Sequence, residues 1–126
     1  MPSSPLIAII DDDGMVRASL TRLLRSMGLR VLGFDSAEVF LAGSIHLVDC
    51  VISDMQMPGM SGLALQQQVL VDRPDLPVIF ITAYPDEPTR SRALTAGAVC
   101  YLEKPCSADA LSRCLDRALT PEPRVT

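Results

Sequence analysis

The chain has 126 residues, 48% of them hydrophobic, with a formal charge of -4 and a pI near 4.8. That length and apolar share suit one domain around one core, and the acidic balance excludes a basic stripe that would hold nucleic acid by neutralising phosphates. The longest apolar run near the N-terminus, Leu6 to Ile10, is too short to cross a bilayer and lacks the basic flank of a signal peptide, so a cytoplasmic protein with no membrane partner is expected.

In chain order, Leu6 to Ile10 reads as a first strand. Val16, Leu20, Leu23, Leu24 and Met27 then form an apolar stripe at helical spacing that Gly28 ends. Arg30 to Phe34 is the second strand, and Ser36 is the N-cap candidate of a second helix carrying Val39, Phe40 and Leu41. Cys50 to Ser53 is the third strand, followed by a helix from about Ser61 to Val71; Pro77 to Ile81 is the fourth, followed by a helix from about Glu87 to Ala96. Cys100 to Leu102 is the fifth strand. The last helix runs from the cap candidate Ser107 to Leu119, with Leu111, Cys114, Leu115 and Ala118 on one face. Strict alternation of apolar strands with helices predicts a doubly wound α/β domain over residues 1–119, with a five-stranded parallel sheet covered by helices on both faces. Residues 120–126 read as a Pro-containing tail or the start of a linker.

Cys50, Cys100, Cys106 and Cys114 show no Cys-x-x-Cys spacing and share the chain with the single histidine His46, so neither a structural zinc nor a disulfide is expected. The cysteines read as small apolar side chains in or near the core, and His46 as a loop or helix-end residue.

Ligands of an open parallel sheet gather beyond the carboxyl ends of its strands, and four of the five ends here are chemically loaded. Asp11-Asp12-Asp13 follows the first strand, Asp54 the third, Thr82 the fourth, and Lys104-Pro105 the fifth after one residue. Any one of these alone reads as a cap or turn residue, but caps do not require a lysine. Converging carboxylates repel one another unless a cation joins them; oxygen ligands with room for water and phosphate oxygens suit Mg²⁺. A carboxylate beside Mg²⁺, a lysine and a hydroxyl is equipped to accept a phosphoryl group.

The chain resembles the receiver domains of two-component response regulators, the CheY-like family. The resemblance rests on Ile9-Ile10-Asp11-Asp12-Asp13, Asp54-Met55-Gln56-Met57-Pro58-Gly59-Met60-Ser61-Gly62, Phe80-Ile81-Thr82-Ala83 and Gly97 to Pro105, and spans about Leu6 to Leu119. It implies the flavodoxin-like strand order 2-1-3-4-5 and a phosphoacceptor at Asp54. It further implies Mg²⁺ bound directly by Asp12 and Asp54, largely through water by Asp11, and by the backbone carbonyl of Gln56. Lys104 would pair with a phosphoryl oxygen, Thr82 would move to the phosphoryl group, and Tyr101 would follow inward as the switch aromatic. Pro105 would follow a cis peptide bond that aims Lys104, while Pro58, Gly62 and Ala83 would support the site. Asp13 looks like a bystander of the acidic pair that could tune metal affinity through its charge, or else a solvated turn residue.

Three positions stand apart from the usual pattern: Cys106 replaces the common aromatic after Pro105, and Pro85 and Pro88 bracket the loop after the fourth strand. Tyr84 is large enough to shield an acyl phosphate from water. The implied donor is a sensor histidine kinase, and the implied readout is the face of the fourth helix, fifth strand and fifth helix, through a homodimer or docked partner. Ser36 to Leu41 and Gly97 to Lys104 look most like the FixJ-like receivers that carry a LuxR-type DNA-binding output domain in a longer protein. Such a domain modifies itself rather than turning over a substrate. A haloacid-dehalogenase-type phosphatase is disfavoured by Gly14-Met15 after Asp13, and a flavodoxin by three aspartates where the flavin phosphate would lie.

Overall fold

Five segments of β-branched and apolar residues build one sheet in this computed structural model, which describes residues 4–120. The strands are β1 (Leu6–Ile10), β2 (Arg30–Phe34), β3 (Cys50–Asp54), β4 (Val78–Thr82) and β5 (Cys100–Glu103). All pair in parallel in the order β2-β1-β3-β4-β5, as the resemblance implies. The helices are α1 (Gly14–Ser26), α2 (Ala37–Gly43), α3 (Gly62–Asp72), α4 (Glu87–Thr95) and α5 (Ala108–Leu119).

Alternation along each strand divides the core into two layers. Ala8, Ile10, Val51 and Phe80 face α2, α3 and α4 through Phe40, Leu65, Val69 and Ala93. Ile7, Ile9, Ile52, Ile79 and Ile81 face α1 and α5 through Leu24, Leu111 and Leu115. The central strands β3 and β4 are buried throughout, whereas the edge strand β2 is largely exposed.

Strands β3, β4 and β5 each run one residue beyond the apolar block that marks them in the sequence. The ladder explains this: Asp54 pairs with Ile81 and Thr82 with Glu103, and the Lys104 amide donates to the Thr82 carbonyl at 2.8 Å. Asp54 and Thr82 are therefore the last residues of rigid strands rather than the first of loops.

Each helix starts on a side chain that accepts otherwise unpaired backbone N–H groups: Asp13, Ser36, Ser61, Asp86 and Ser107. Asp13 is thus more than a solvated turn residue, since its carboxylate caps α1 through the Met15 and Val16 amides. His46 lies exposed in the turn after α2, as expected.

The expectation of no disulfide is overturned. Cys100 of β5 and Cys114 of α5 are bonded, with Cα atoms 6.2 Å apart. The chain reverses after β5, and α5 packs back along the strand, so a separation of 14 residues becomes a contact that no local spacing announces. Cys50 does behave as a core residue: it is fully buried, and burial pushes its thiol up to about 12. Helix α5 ends at Leu119, and residues 121–126 of the expected tail lie outside the described residues.

Candidate functional site

The carboxyl ends of β1, β3, β4 and β5 bring the loaded residues together. Asp11, 2% exposed, and Asp54, 8% exposed, are buried while Asp12 is exposed, and carboxylate oxygens from all three lie within 4.8 Å of one another. Lys104 reaches across from β5: its ammonium donates to Asp11 Oδ2 at 2.8 Å and lies 3.5 Å from Asp54 Oδ1. The Lys104–Pro105 peptide bond is cis.

The electrostatics follow from this crowding. Burial raises the Asp54 pKa, and the charge of Asp11 raises it further, against the opposing pull of Lys104 and the Met55 and Gln56 amides. Burial lowers that of Lys104, but hydrogen bonds and charges from Asp11 and Asp54 outweigh it and leave the ammonium above its ordinary value. One cation for three clustered carboxylates leaves an excess of negative charge. An all-oxygen donor set with that excess, and with Asp12 open to solvent, fits a hard divalent cation that keeps several waters.

The loop after β3 is held close to the site. Gly62 donates its amide to the Met55 carbonyl at 2.9 Å, and a Cβ there would stand 2.8 Å from the Asp54 carbonyl oxygen, so only glycine allows this approach. Gly59 has φ +77, and beside it the Met60 amide donates to Glu38 Oε2 of α2 at 3.2 Å. Pro58 and Ala83 lie exposed on the loops after β3 and β4.

Thr82 is fully buried, yet its hydroxyl is occupied: it donates to Gln56 Oε1 at 2.6 Å and accepts the Tyr84 amide at 3.1 Å. The Tyr101 hydroxyl accepts the Asp86 amide at the start of α4, at 3.3 Å. Tyr84 is 76% exposed, its side chain largely in solvent.

Sequence reasoning missed three contributors. The Gln56 side chain, not only its backbone, belongs to the site through Thr82. Glu38 anchors the loop after Asp54. Arg17 donates to the Asp11 carbonyl at 2.7 Å, fixing the acidic loop from α1. The Gln56 and Glu38 bonds join segments 26 and 22 residues apart that meet only in the folded sheet, whereas the Arg17 bond spans six residues and has no motif to mark it.

The family described as the response regulator receiver domain matches residues 7–116. The chain belongs to this family. As a receiver domain, it is a component of two-component signalling rather than a conventional enzyme. It is 40% identical over 119 residues to the C4-dicarboxylate transport transcriptional regulatory protein DctD of Rhizobium meliloti, a match covering 94% of this chain and 26% of DctD. It is 38% identical to the transcriptional regulatory protein FixJ of Bradyrhizobium diazoefficiens, covering 90% of this chain and 56% of FixJ. The receiver thus spans about half or less of the curated relatives it matches. Among solved structures, FixJ-N superposes with a TM-score of 0.84 at 33% identity, covering 94% of this chain and 95% of that one. The response regulator StyR does so with 0.84 at 41%, covering 92% and 59%. No helix among the described residues is long and apolar enough to cross a membrane.

Proposed function

We propose that Asp54 accepts a phosphoryl group from a phosphohistidine of a sensor histidine kinase, in the cytoplasm. The observation that carries this reading is the convergence of Asp11, Asp12 and Asp54 with the Lys104 ammonium at the rigid ends of β1, β3 and β5. Asp12 and Asp54, Asp11 through water, and the Gln56 carbonyl would hold Mg²⁺, which when bound would neutralise charge on the transferring phosphoryl oxygens.

An Asp54 carboxylate oxygen attacks phosphorus in line as the P–N bond breaks, and the imidazole leaves with the electron pair. Lys104 then exchanges part of its contact with Asp11 for a phosphoryl oxygen. For Thr82 to donate to the phosphoryl group, it must first release Gln56, and for Tyr101 to follow inward it must release the Asp86 amide. Those two exchanges link chemistry at Asp54 to the α4-β5-α5 face by shifting a pre-existing equilibrium. The face would then dimerise or regulate an output domain, of LuxR-type DNA-binding class, in a longer protein. Tyr84, closing over the acyl phosphate, would slow its hydrolysis by water.

Intact-mass spectrometry of the wild type and Asp54→Asn with acetyl phosphate tests this. One added phosphoryl group on the wild type, absent in the variant and after chelation of Mg²⁺, is expected. An unmodified wild type in the presence of donor and metal overturns self-catalysed transfer and leaves a partner-binding receiver.

A further inference from the structure

We propose that Cys100 and Cys114 are a reversible redox site, and that their disulfide staples α5 to β5 so that the oxidised receiver takes up phosphate without rearranging its α4-β5-α5 face. The pair lies far from the acidic cluster in sequence and belongs to the face that the phosphoryl chemistry would control. Cys100 immediately precedes Tyr101 on β5, so a bond from Cys100 to α5 fixes the backbone from which the Tyr101 ring would swing.

Four observations support a site rather than an inert contact. The two cysteines sit with Cα atoms 6.2 Å apart, within the range a disulfide spans without backbone movement. Both line an open groove of about 390 Å³ on this face; each is largely buried, at 6% and 5% exposed, so the groove is the side from which an oxidant would approach. Arg90, Arg113 and Arg117 line the same groove, and positive charge favours the reactive thiolate. The other two cysteines stay free in the same structure, Cys50 fully buried with its thiol pushed up to about 12 and the half-buried Cys106 with its thiol raised by burial.

The step balances with a small-molecule disulfide as oxidant. One thiolate attacks that disulfide, expelling its first thiolate and forming a mixed disulfide. The second cysteine, losing its proton, then attacks the protein sulfur and expels the second thiolate. Both electrons leave with the reduced small molecule. In a reducing cytoplasm such a bond is transient, which suits a sensor rather than a structural staple.

The redox chemistry stands apart from the proposed function, while the gating rests on it. The whole chain is equilibrated with reduced or oxidised glutathione, acid-quenched, and alkylated in denaturant before mass analysis. The reduced chain should carry four labels and the oxidised chain two, with the Cys100 and Cys114 peptides joined. A Cys100→Ser/Cys114→Ser chain, with only Cys50 and Cys106 left, should show no internal bridge under either condition. Four labels in both wild-type samples overturn the redox pair.

For gating, both forms receive acetyl phosphate and Mg²⁺. Equal phosphoryl uptake is expected, with a change in hydrogen exchange across β5 and α5 only in the reduced form. The same exchange change in both forms overturns the staple. Absence of phosphoryl uptake in both overturns the proposed function and the gating together, while the label count still decides the redox pair.

Discussion

Helices α4 and α5 flank the same strand but are held to it by different forces. α5 buries Leu111, Cys114 and Leu115 and is bonded covalently to β5. α4 is shorter, has Pro88 in its first turn, and buries only Ala93. Beside the partial packing of Leu94, its ties are polar: Gln66 Nε2 of α3 donates to the Ala93 carbonyl at 2.9 Å, and the Asp86 amide donates to the Tyr101 hydroxyl. Apolar burial is non-directional and degrades gradually as an element shifts, whereas a buried hydrogen bond is made or lost. The helix expected to respond to Asp54 is thus attached by exchangeable bonds, and its neighbour by surface area.

The largest test of this contrast is truncation of the apolar anchors. Leu111→Ala in α5 should cost about 2–5 kcal/mol, because a fully buried leucine leaves both lost transfer energy and a cavity. Leu94→Ala in α4, where the side chain is only partly buried, should cost less than half as much. Urea unfolding of both variants, in reductant, measures the difference. Equal losses would mean that α4 is anchored by packing after all.

A smaller effect is expected at Gln66, which is 2% exposed and whose Oε1 has no hydrogen-bond partner among the described residues. Gln66→Leu removes the tether to Ala93, whose carbonyl keeps only the Ala98 amide at 3.0 Å, but also removes the orphaned oxygen. These oppose each other, so a net loss of about 1 kcal/mol is expected. The more diagnostic readout is local: amide exchange in α4 should accelerate while α5 is unchanged. Acceleration spread evenly over both helices would show that Gln66 supports the whole core.

The asymmetry was only partly legible in the sequence. α5 announces itself through Leu111, Cys114, Leu115 and Ala118 at helical spacing, and the strand ends through charged residues directly after β-branched blocks. Those signals are local, and they sufficed to gather Asp11, Asp12, Asp54, Thr82 and Lys104 on one edge. What they could not carry is any bond whose partners lie on elements that meet only after folding. Gln56 to Thr82 spans the ends of β3 and β4, Glu38 to Met60 joins α2 to a loop, and Gln66 to Ala93 joins two helices. The Cys100–Cys114 bond was misjudged for the same reason, since the expectation weighed spacing in the chain and not the return of α5 along β5.

The smallest effect concerns the start of α4, where the Asp86 carboxylate accepts the Thr89 amide at 2.9 Å. That backbone bond, with a further one from the Thr89 side chain, holds the Asp86 pKa below its ordinary 3.8. A depressed carboxylate pKa means the cap's contribution is complete above the unfolded-state value and is lost as pH falls through the folded-state value. Exchange of the first-turn amides of α4, corrected for intrinsic rates, should therefore be flat near neutrality and accelerate only below pH 3.8. Asp86→Asn retains an oxygen acceptor without the titration, so its corrected profile should stay flat through that window. Asp86→Ala should be fast at every pH, with α5 unaffected because its cap is the uncharged Ser107. If the first turn of α4 stays protected in Asp86→Ala, Glu87 and Pro88 are sufficient to start the helix, and α4 is more firmly set than its single buried residue implies.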